Sequence, residues 1–509
     1  MRVRASILLL ALVGAALCIS ALWNLARTKD GLRIEAVTIE GTPATVYRPA
    51  TGTPHAAVVI AHGFAGSQQL MQAFATTFAQ NGYVAVTFDF LGHGRNPSPL
   101  GGSITEVEGA TRALVTQTMT VVAFAKGLAG GKLAVLGHSM ASDLVVRAAA
   151  SEPDISATIA VSMFSPAVTA TVPKNLLVIV GGLEGMLKDE AIRAISLATA
   201  PQTAAPGVTY GEFAAGTARR AAFSAGVEHV GVLYSQASMS EALGWLDQGF
   251  GIERADTPYL DGRGPWIMAL LLGVVLLARP LSLFLPRVSE QPAGGGLPWR
   301  RTWIVLGVPM LVTPLLLRVV PTHFLPVLVG DYLAVHFFVF GLLTALCLAV
   351  VGRGQPKAEG APTSRAAFWI ASFAAVGFGF IGLVWPIDSY VTSFVPGPAR
   401  GWLVAAMLAG TLMYFLADEW STRGERHARF AYPAAKIAFL LSLAGAVALD
   451  FERLFFLMII IPVIVPFFLV HGLFSRWIYQ ATGHPLVAAV ANAVAFAWAI
   501  GVTFPLLAG

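Results

Sequence analysis

The chain has 509 residues, of which 56% are hydrophobic and only 12% are charged. Ordinary soluble proteins carry about 25% charged residues. The low charged fraction and the mean hydropathy of +0.70 together exclude that class of protein. The net charge of +5 does not indicate nucleic-acid binding, since the basic residues cluster at the ends of apolar runs. The composition therefore predicts a membrane protein that has no nucleic-acid partner.

The first apolar run, residues 6–23, is long enough to span a membrane and follows Arg2 and Arg4. This arrangement favours an uncleaved signal anchor with a cytoplasmic N-terminus, and a cleaved signal peptide is the alternative. Residues 1–31 are interpreted as this anchor and a linker, residues 32–262 as a globular domain, and residues 263–509 as a membrane domain.

Eight further segments have spanning length, near residues 265–285, 302–320, 331–351, 366–386, 401–417, 434–449, 454–471 and 484–507. The 434–449 segment is short for a span. Basic residues occupy alternate loops, which the positive-inside rule places in the cytoplasm: Arg287, Arg300, Arg301, Arg353, Lys357, Arg365, Arg423, Arg426, Arg429 and Arg476. The loops between them, such as 321–330 and 386–398, carry few or none. Nine crossings would put residues 24–264 on the extracytoplasmic side of the cell (inner) membrane.

Few ionisable residues fall inside these segments. Asp418 and Glu419 follow the 401–417 segment and His471 ends the 454–471 segment, so we expect them near the membrane interfaces. His336 is the only one expected at depth. Cys18 and Cys347 both lie within apolar runs, which predicts neither a disulfide nor a metal site in the globular domain.

The globular domain alternates strand and helix patterns. Strands are predicted at residues 32–40 and 44–48, which flank a turn, and at 56–61, 83–88, 133–136, 157–161, 176–180 and 221–224. Helices are predicted at residues 104–128, 142–150, 189–200 and 235–250. Strands that alternate with helices predict the α/β class, with a mostly parallel sheet covered by helices on both faces.

One sharp turn joins the strand at 133–136 to the helix at 142–150. Its sequence is Gly137-His138-Ser139-Met140-Ala141. A serine on such a strand–turn–helix corner is held with its hydroxyl exposed above the sheet, as in a nucleophile elbow. Ala141 stands where the motif usually has glycine, and the position requires only a small side chain.

Two other strands end in further motifs. His62-Gly63-Phe64 follows the strand at 56–61, and Asp89-x-x-Gly-His-Gly follows the strand at 83–88. Together with the elbow, these motifs resemble α/β-hydrolase-fold serine hydrolases, especially the esterase, monoacylglycerol lipase and serine aminopeptidase branch. The resemblance covers residues 32–262, under half of the chain. Residues 162–175 are too few to form the helical lid that many of these relatives have.

The resemblance implies a catalytic triad in the chain order Ser, acid, His. Ser139 would be the nucleophile, and His229 is the only histidine between it and the membrane domain. Glu184, in Gly181-Gly-Leu-Glu184, matches the family's Gly-x-x-Asp with glutamate in place of aspartate, and Asp189 is the alternative acid. The backbone N–H groups of Phe64 and Met140 would form the oxyanion hole, and Asp89 would organise a turn.

These assignments predict a membrane-bound serine hydrolase that cleaves carboxyl esters or thioesters, either small molecules or lipids, through an acyl-enzyme on Ser139. The resemblance implies no metal or organic cofactor, and membrane lipids are the expected surroundings. Two alternatives stay open. One is a membrane acyltransferase with the same triad, and the other is a transporter-like or flippase-like bundle with an attached hydrolase domain. The sequence leaves the oligomeric state open.

Overall fold

The structure is a computed structural model and describes residues 2–102, 107–352 and 364–508. The chain forms two compact units. The sheet unit contains residues Ile19–Ala269, Ile387–Gly397 and Pro505–Gly509, and the helical unit contains Met1–Cys18, Leu270–Pro386 and Pro398–Phe504. Two short segments from the C-terminal half of the chain therefore belong to the sheet unit.

The sheet unit is built on one nine-stranded sheet with the order β1-β2-β4-β3-β5-β6-β7-β9-β8. The central strands of this sheet are parallel to one another: β4, β3, β5, β6, β7 and β9. At the two edges, β1, β2 and β8 pair antiparallel. The strands are β1 Leu32–Ile39, β2 Thr42–Pro49, β3 Ala57–Ala61, β4 Val84–Phe88, β5 Leu133–His138, β6 Ile155–Val161, β7 Leu176–Gly181, β8 Thr209–Tyr210 and β9 Arg219–Ser224.

Helices cover both faces of this sheet. They are α2 Gln72–Gln80, α3 Arg112–Lys126, α4 Met140–Ser151, α5 Gly185–Thr199 and α6 Gln236–Phe250, and the chain begins before the sheet with α1 Arg2–Arg27. Helices α2 and α6 share one core with the sheet, whereas α3, α4 and α5 pack on the opposite face. The predicted α/β class, a mostly parallel sheet with helices on both faces, is confirmed.

The continuous apolar strands follow from this double coverage. In β3, Val58 and Ile60 join the core under α2 and α6, while Ala57, Val59 and Ala61 join the core under α3 and α4. Successive side chains of a strand point to opposite faces, so a strand buried on both faces must be apolar at every position.

Some local elements differ from the sequence prediction. The helix predicted at 104–128 begins only at Arg112, after a wide turn at Val107–Thr111 in which Gly109 leaves helical geometry, and residues 103–106 lie outside the described part of the chain. Helix α5 begins at Gly185, directly after Glu184, rather than at 189. Helix α2 and the edge strand β8 were not predicted.

The helical unit continues with α7 Arg263–Ser282, α8 Trp299–Leu317, α9 Gly330–Val351, α10 Arg365–Gly379, α11 Trp385–Tyr390, α12 Gly401–Thr422, α13 Ala431–Leu449, α14 Phe451–Thr482 and α15 Pro485–Thr503. A wide turn at Phe380–Val384 joins α10 and α11 into one segment. Within the described residues, nine helical segments, including Ala5–Arg27, are long and apolar enough to cross a membrane. This number agrees with the sequence prediction and includes the short segment near 434–449.

A buried polar cluster lies where four of these helices meet. Helix α12 extends to Thr422, so Asp418 and Glu419 lie near the C-terminal end of the helix, with both side chains buried. The Glu419 carboxylate accepts hydrogen bonds from Ser475 at 2.6 Å, Tyr432 at 3.0 Å and Asn492 at 3.2 Å. Asp418 pairs with Lys436 on α13. These bonds supply the partners that buried charges require and link α12 to α13, α14 and α15.

Candidate active site

Ser139 occupies the turn between β5 and α4 in a strained backbone conformation, with φ 54° and ψ −119°. Such a conformation costs a non-glycine residue about 1–3 kcal/mol and persists only where the surrounding structure imposes it. Close packing of strand and helix imposes it here, because a Cβ atom at Gly137 would lie 2.3 Å from the Ala141 carbonyl oxygen. Glycine at 137 and a buried alanine at 141 therefore let the chain turn sharply enough to present the serine.

Three side chains from separate loops meet beside this turn. His229 Nε2 lies 2.9 Å from Ser139 Oγ, and His229 Nδ1 lies 2.5 Å from Glu184 Oε1. The loops follow β5, β7 and β9, and the carboxyl ends of parallel strands share one edge of the sheet. The structure thus brings together the serine, the histidine and the glutamate named from the sequence.

Glu184 is fixed by contacts on both carboxylate oxygens. Its Oε2 atom accepts hydrogen bonds from Ser162 Oγ and from the Gly181 N–H, each at 2.7 Å. Burial alone would raise the pKa of Glu184, but the hydrogen bonds from His229, Ser162 and Gly181 outweigh burial and lower its pKa. The carboxylate is therefore ionised at neutral pH and can only accept, so His229 carries a proton on Nδ1 and turns Nε2 towards the serine.

Sequence reasoning missed Ser162 and Gly181 as partners of the carboxylate. The only sequence signal for Ser162 is that it comes directly after a buried strand, as functional residues in this fold often do. Asp189, the alternative acid, is an exposed residue on α5. It lies about one helical turn beyond Glu184 and outside the three-residue arrangement.

The loop after β3 packs directly against the serine. A Cβ atom at Gly63 would lie 3.0 Å from Ser139 Cβ, so any larger residue would have to push its neighbours aside. The loop folds tightly, because the Gly66 N–H donates to the Gly63 carbonyl at 3.1 Å. Phe64 lies within this turn, and Met140 is the first residue of α4. The two predicted oxyanion donors are thus on the two chain segments that flank Ser139.

Asp89 organises the neighbouring loop. Its carboxylate is buried and accepts hydrogen bonds from the Gln68 N–H at 2.8 Å, the Gln68 side-chain amide at 3.1 Å and the Arg95 N–H at 3.0 Å. Asp89 therefore links the loop after β3 to the loop after β4, which is the turn-organising role expected from its motif.

Two buried histidines support the site in their neutral form. Burial lowers the pKa of His62 to about 4, and its Nε2 accepts the Phe90 N–H at 3.1 Å. Burial, together with the neighbouring His229, lowers the pKa of His138 to about 3. The His138 Nε2–H donates to the His229 carbonyl at 2.9 Å, which fixes the backbone that carries the third member of the site.

The lowered pKa values of His62 and His138 predict that the folded protein loses stability in mild acid. The unfolded chain protonates them near pH 6.5, whereas the folded protein protonates them only near pH 4 and pH 3. Between these values the unfolded state binds more protons, so the free energy of unfolding decreases as the pH falls. The expected slope is at most roughly 1.4 kcal/mol per pH unit for each histidine.

The slope can be measured by thermal unfolding of the purified full-length protein between pH 7.5 and pH 4.5. His62→Gln removes one of the two titrating groups, so its unfolding midpoint should depend less on pH than that of the wild type. Equal slopes for the two proteins would contradict the assignment.

Exposed apolar side chains occur near the site residues in the sequence. Phe164, Leu183, Met186 and Val230 are 67%, 68%, 86% and 46% exposed, and each is close in the sequence to Ser162, Glu184 or His229. The His229 side chain is itself 41% exposed, so the site is open. In the described part of the chain, no group of three or more His, Cys, Asp or Glu side chains is arranged to hold a metal ion.

Comparison with known proteins agrees with this architecture. Residues 52–194 match the family model for serine aminopeptidase, S33. No curated protein matches the chain significantly.

Several solved structures are similar to part of the chain. A Thermus thermophilus protein is 18% identical, with 43% of this chain and 98% of that chain covered and a TM-score of 0.34. A Pyrobaculum calidifontis esterase is 16% identical, with 48% and 94% covered and a TM-score of 0.32. Dienelactone hydrolase from Anabaena variabilis is 17% identical, with 42% and 97% covered and a TM-score of 0.31. The sheet unit has the α/β-hydrolase fold, and residues 52–194 within it are similar to the serine aminopeptidases of family S33.

Proposed function

We propose that the protein is a membrane-bound serine hydrolase that cleaves carboxyl esters or thioesters through an acyl-enzyme on Ser139. The observation that carries this proposal is the continuous chain of hydrogen bonds from Ser139 through His229 to the ionised Glu184. A serine hydroxyl is a weak nucleophile, and a base within hydrogen-bond reach that is itself oriented by a third group activates it.

In the acylation half of the reaction, Ser139 Oγ attacks the carbonyl carbon while its proton passes to His229 Nε2. Glu184 holds the ring in the tautomer that can accept this proton and stabilises the imidazolium that forms. The backbone N–H groups of Phe64 and Met140 donate to the oxyanion of the tetrahedral intermediate. When the intermediate collapses, the bond to the leaving oxygen or sulfur breaks, and the leaving group takes the proton from His229.

In the second half, a water molecule attacks the acyl carbon and gives its proton to His229. Collapse of the second intermediate releases the free acid, and His229 returns the proton to Ser139 Oγ. The His229 side chain is 41% exposed, so water can reach the ester bond of the acyl-enzyme beside it.

The apolar rim favours a substrate with a hydrophobic acyl part. Leu183 and Met186 flank Glu184, and both side chains are more than two-thirds exposed. Exposed apolar side chains around a polar reaction centre are typical of binding sites for apolar ligands. Lipid-derived esters fit this chemistry and are available to a chain whose described residues include nine segments suited to crossing a membrane.

The basic residues that follow alternate apolar segments support an extracytoplasmic position for the sheet unit at the cell membrane. The substrate is then an ester or thioester presented at the outer surface of the bilayer or in the adjoining compartment.

A fluorophosphonate probe tests both the nucleophile and the side of the membrane. We expect a membrane-impermeant probe to label the wild-type protein in intact cells or spheroplasts, because the probe reacts with a base-activated serine. Ser139→Ala and His229→Ala should remove the labelling, whereas Ser151→Ala, which changes an exposed serine at the end of α4, should retain it.

Two outcomes would contradict the proposal in different ways. Folded wild-type protein that stays unlabelled in lysed cells would exclude an activated serine. Labelling that appears only after lysis would retain the hydrolase but reverse the topology.

A further inference from the structure

We propose that residues 387–397 position the loop after β3 for catalysis at Ser139. We refer to residues 387–397, which comprise the end of one candidate span and most of the loop before the next, as the connecting segment, and to residues 62–67 as the β3 loop. Both belong to the sheet unit, although more than 300 residues of sequence separate Ser67 from Thr392. This inference rests on the proposed hydrolase function and adds a positioning element to it.

The first set of contacts involves the hydroxyl groups of Ser67, Thr392 and Ser393. The Ser393 N–H donates to Ser67 Oγ at 2.8 Å, and Thr392 Oγ1 lies 3.0 Å from the same oxygen. The Ser393 hydroxyl donates to the side-chain oxygen of Gln69 at 2.8 Å. Ser67 is fully buried, so withdrawal of the connecting segment would leave a buried hydroxyl without these partners, which is unfavourable.

The second set of contacts is centred on Asp388. One carboxylate oxygen accepts the N–H groups of Phe394 and Val395, at 2.8 and 2.9 Å, and so folds the connecting segment onto itself. The other oxygen pairs with Arg95 at 2.6 Å. Asp388 therefore both shapes the segment and attaches it to the loop after β4.

The β3 loop is consequently held from two sides. On the inner side, Asp89 accepts the Gln68 N–H and the Arg95 N–H, at 2.8 and 3.0 Å. On the outer side, the connecting segment binds Ser67 directly and Arg95 through Asp388. Removal of the outer contacts leaves the loop with only its inner attachment.

The position of this loop matters because it packs against the reacting atoms. The turn is closed by the Gly66 N–H bond to the Gly63 carbonyl, and Gly63 lies so close to Ser139 that a Cβ atom on it would be 3.0 Å from Ser139 Cβ. A shift at Ser67 is thus transmitted to Phe64, whose N–H is the proposed oxyanion donor. Such a donor acts only when it is about 2.7–3.1 Å from the developing oxyanion, so a small displacement weakens it.

The prediction concerns the hydroxyl groups of the connecting segment. In the full-length protein in membranes, the double variant Thr392→Val/Ser393→Ala should lower kcat about tenfold, with KM unchanged. The effect is smaller than the loss of about 10²–10³-fold on removal of an oxyanion donor, because the donor is displaced and not deleted. An unchanged KM is expected because the donor acts in the transition state.

Matched variants separate positioning from general destabilisation. Thr392→Ser keeps the hydroxyl and should retain wild-type kcat, whereas Thr392→Val alone should show part of the loss. Ser389→Ala lies in the same segment but contacts Gln72 through its backbone carbonyl, so its kcat should equal that of the wild type. Thermal unfolding midpoints of all variants show whether the fold is retained.

The measurements are ester turnover and the extent of fluorophosphonate labelling at completion. Complete labelling of a folded double variant with reduced kcat is the expected result. Complete labelling with unchanged kcat, or a loss shared by Thr392→Ser and Ser389→Ala, would overturn this inference alone. Failure of the probe to label the wild type would overturn the proposed function and this inference together.

Discussion

Replacing His229 by alanine is expected to lower kcat for ester hydrolysis by about 10⁶-fold, and replacing Ser139 as well should add no further loss. The reason is that the two residues act as one unit. His229 Nε2 lies 2.9 Å from Ser139 Oγ, so the hydroxyl has no base to accept its proton once the imidazole is removed. Without that base the serine is not activated, so its removal lowers kcat no further and the effects of the two substitutions do not add.

The measurement is single-turnover and steady-state hydrolysis of a chromogenic ester by wild type, both single variants and the double variant. His55→Ala provides a matched control. His55 precedes β3, at the amino ends of the parallel strands, whereas the site lies at their carboxyl ends, and its backbone N–H bond to Gly82 survives the substitution. A double variant that is a further hundredfold slower than either single variant would show independent contributions and contradict the relay.

The three residues of this site could be named from the sequence because each is marked by its neighbours in the chain. Ser139 lies in a strand–turn–helix motif, Glu184 three residues after a glycine that ends a buried strand, and His229 is the only histidine in its interval. Their roles came from the resemblance to α/β-hydrolase-fold serine hydrolases, and the carboxyl ends of parallel strands share one edge of the sheet, where loops after different strands can meet.

Ser162 and the connecting segment could not be found in this way. Ser162 contacts Glu184 across 22 residues and Ser67 contacts Thr392 across 325, so no local spacing connects the partners. Hydropathy identifies which segments are apolar but not which loops return to the sheet. The same limitation applies to Glu419, whose partners come from three other helices and whose burial no helix-end signal indicated.

The structure also constrains the crossing number, through segments that return to the sheet unit. If the candidate spans cross a membrane, residues 387–397 and the C-terminal residues 506–508, which pair with Gly92 and Leu100, lie on the same side of it as the sheet. This requires an even number of crossings before each. Among the described residues, four candidate spans separate the sheet from 387–397 and eight separate it from residue 506.

Replacing Glu184 by glutamine is expected to lower kcat by about 10⁴-fold while leaving the fold intact. Glutamine matches glutamate in size, but its amide can donate to His229 Nδ1 and then favours the ring tautomer that cannot accept the serine proton. It also lacks the negative charge that stabilises the imidazolium in the transition state. The loss is smaller than that for His229→Ala, because the base itself remains and the correct tautomer still forms part of the time.

Two further substitutions make this result specific to the carboxylate. Asp189→Asn removes the alternative acid, which is exposed on α5, and should leave kcat unchanged. Ser162→Ala removes one hydrogen bond at 2.7 Å from Glu184 and leaves that from the Gly181 N–H, so only a several-fold loss is expected. Steady-state kinetics and thermal unfolding of all three variants provide the measurement. A large loss in Asp189→Asn with none in Glu184→Gln would reassign the acid, whereas the predicted order places the charge that orients His229 at Glu184.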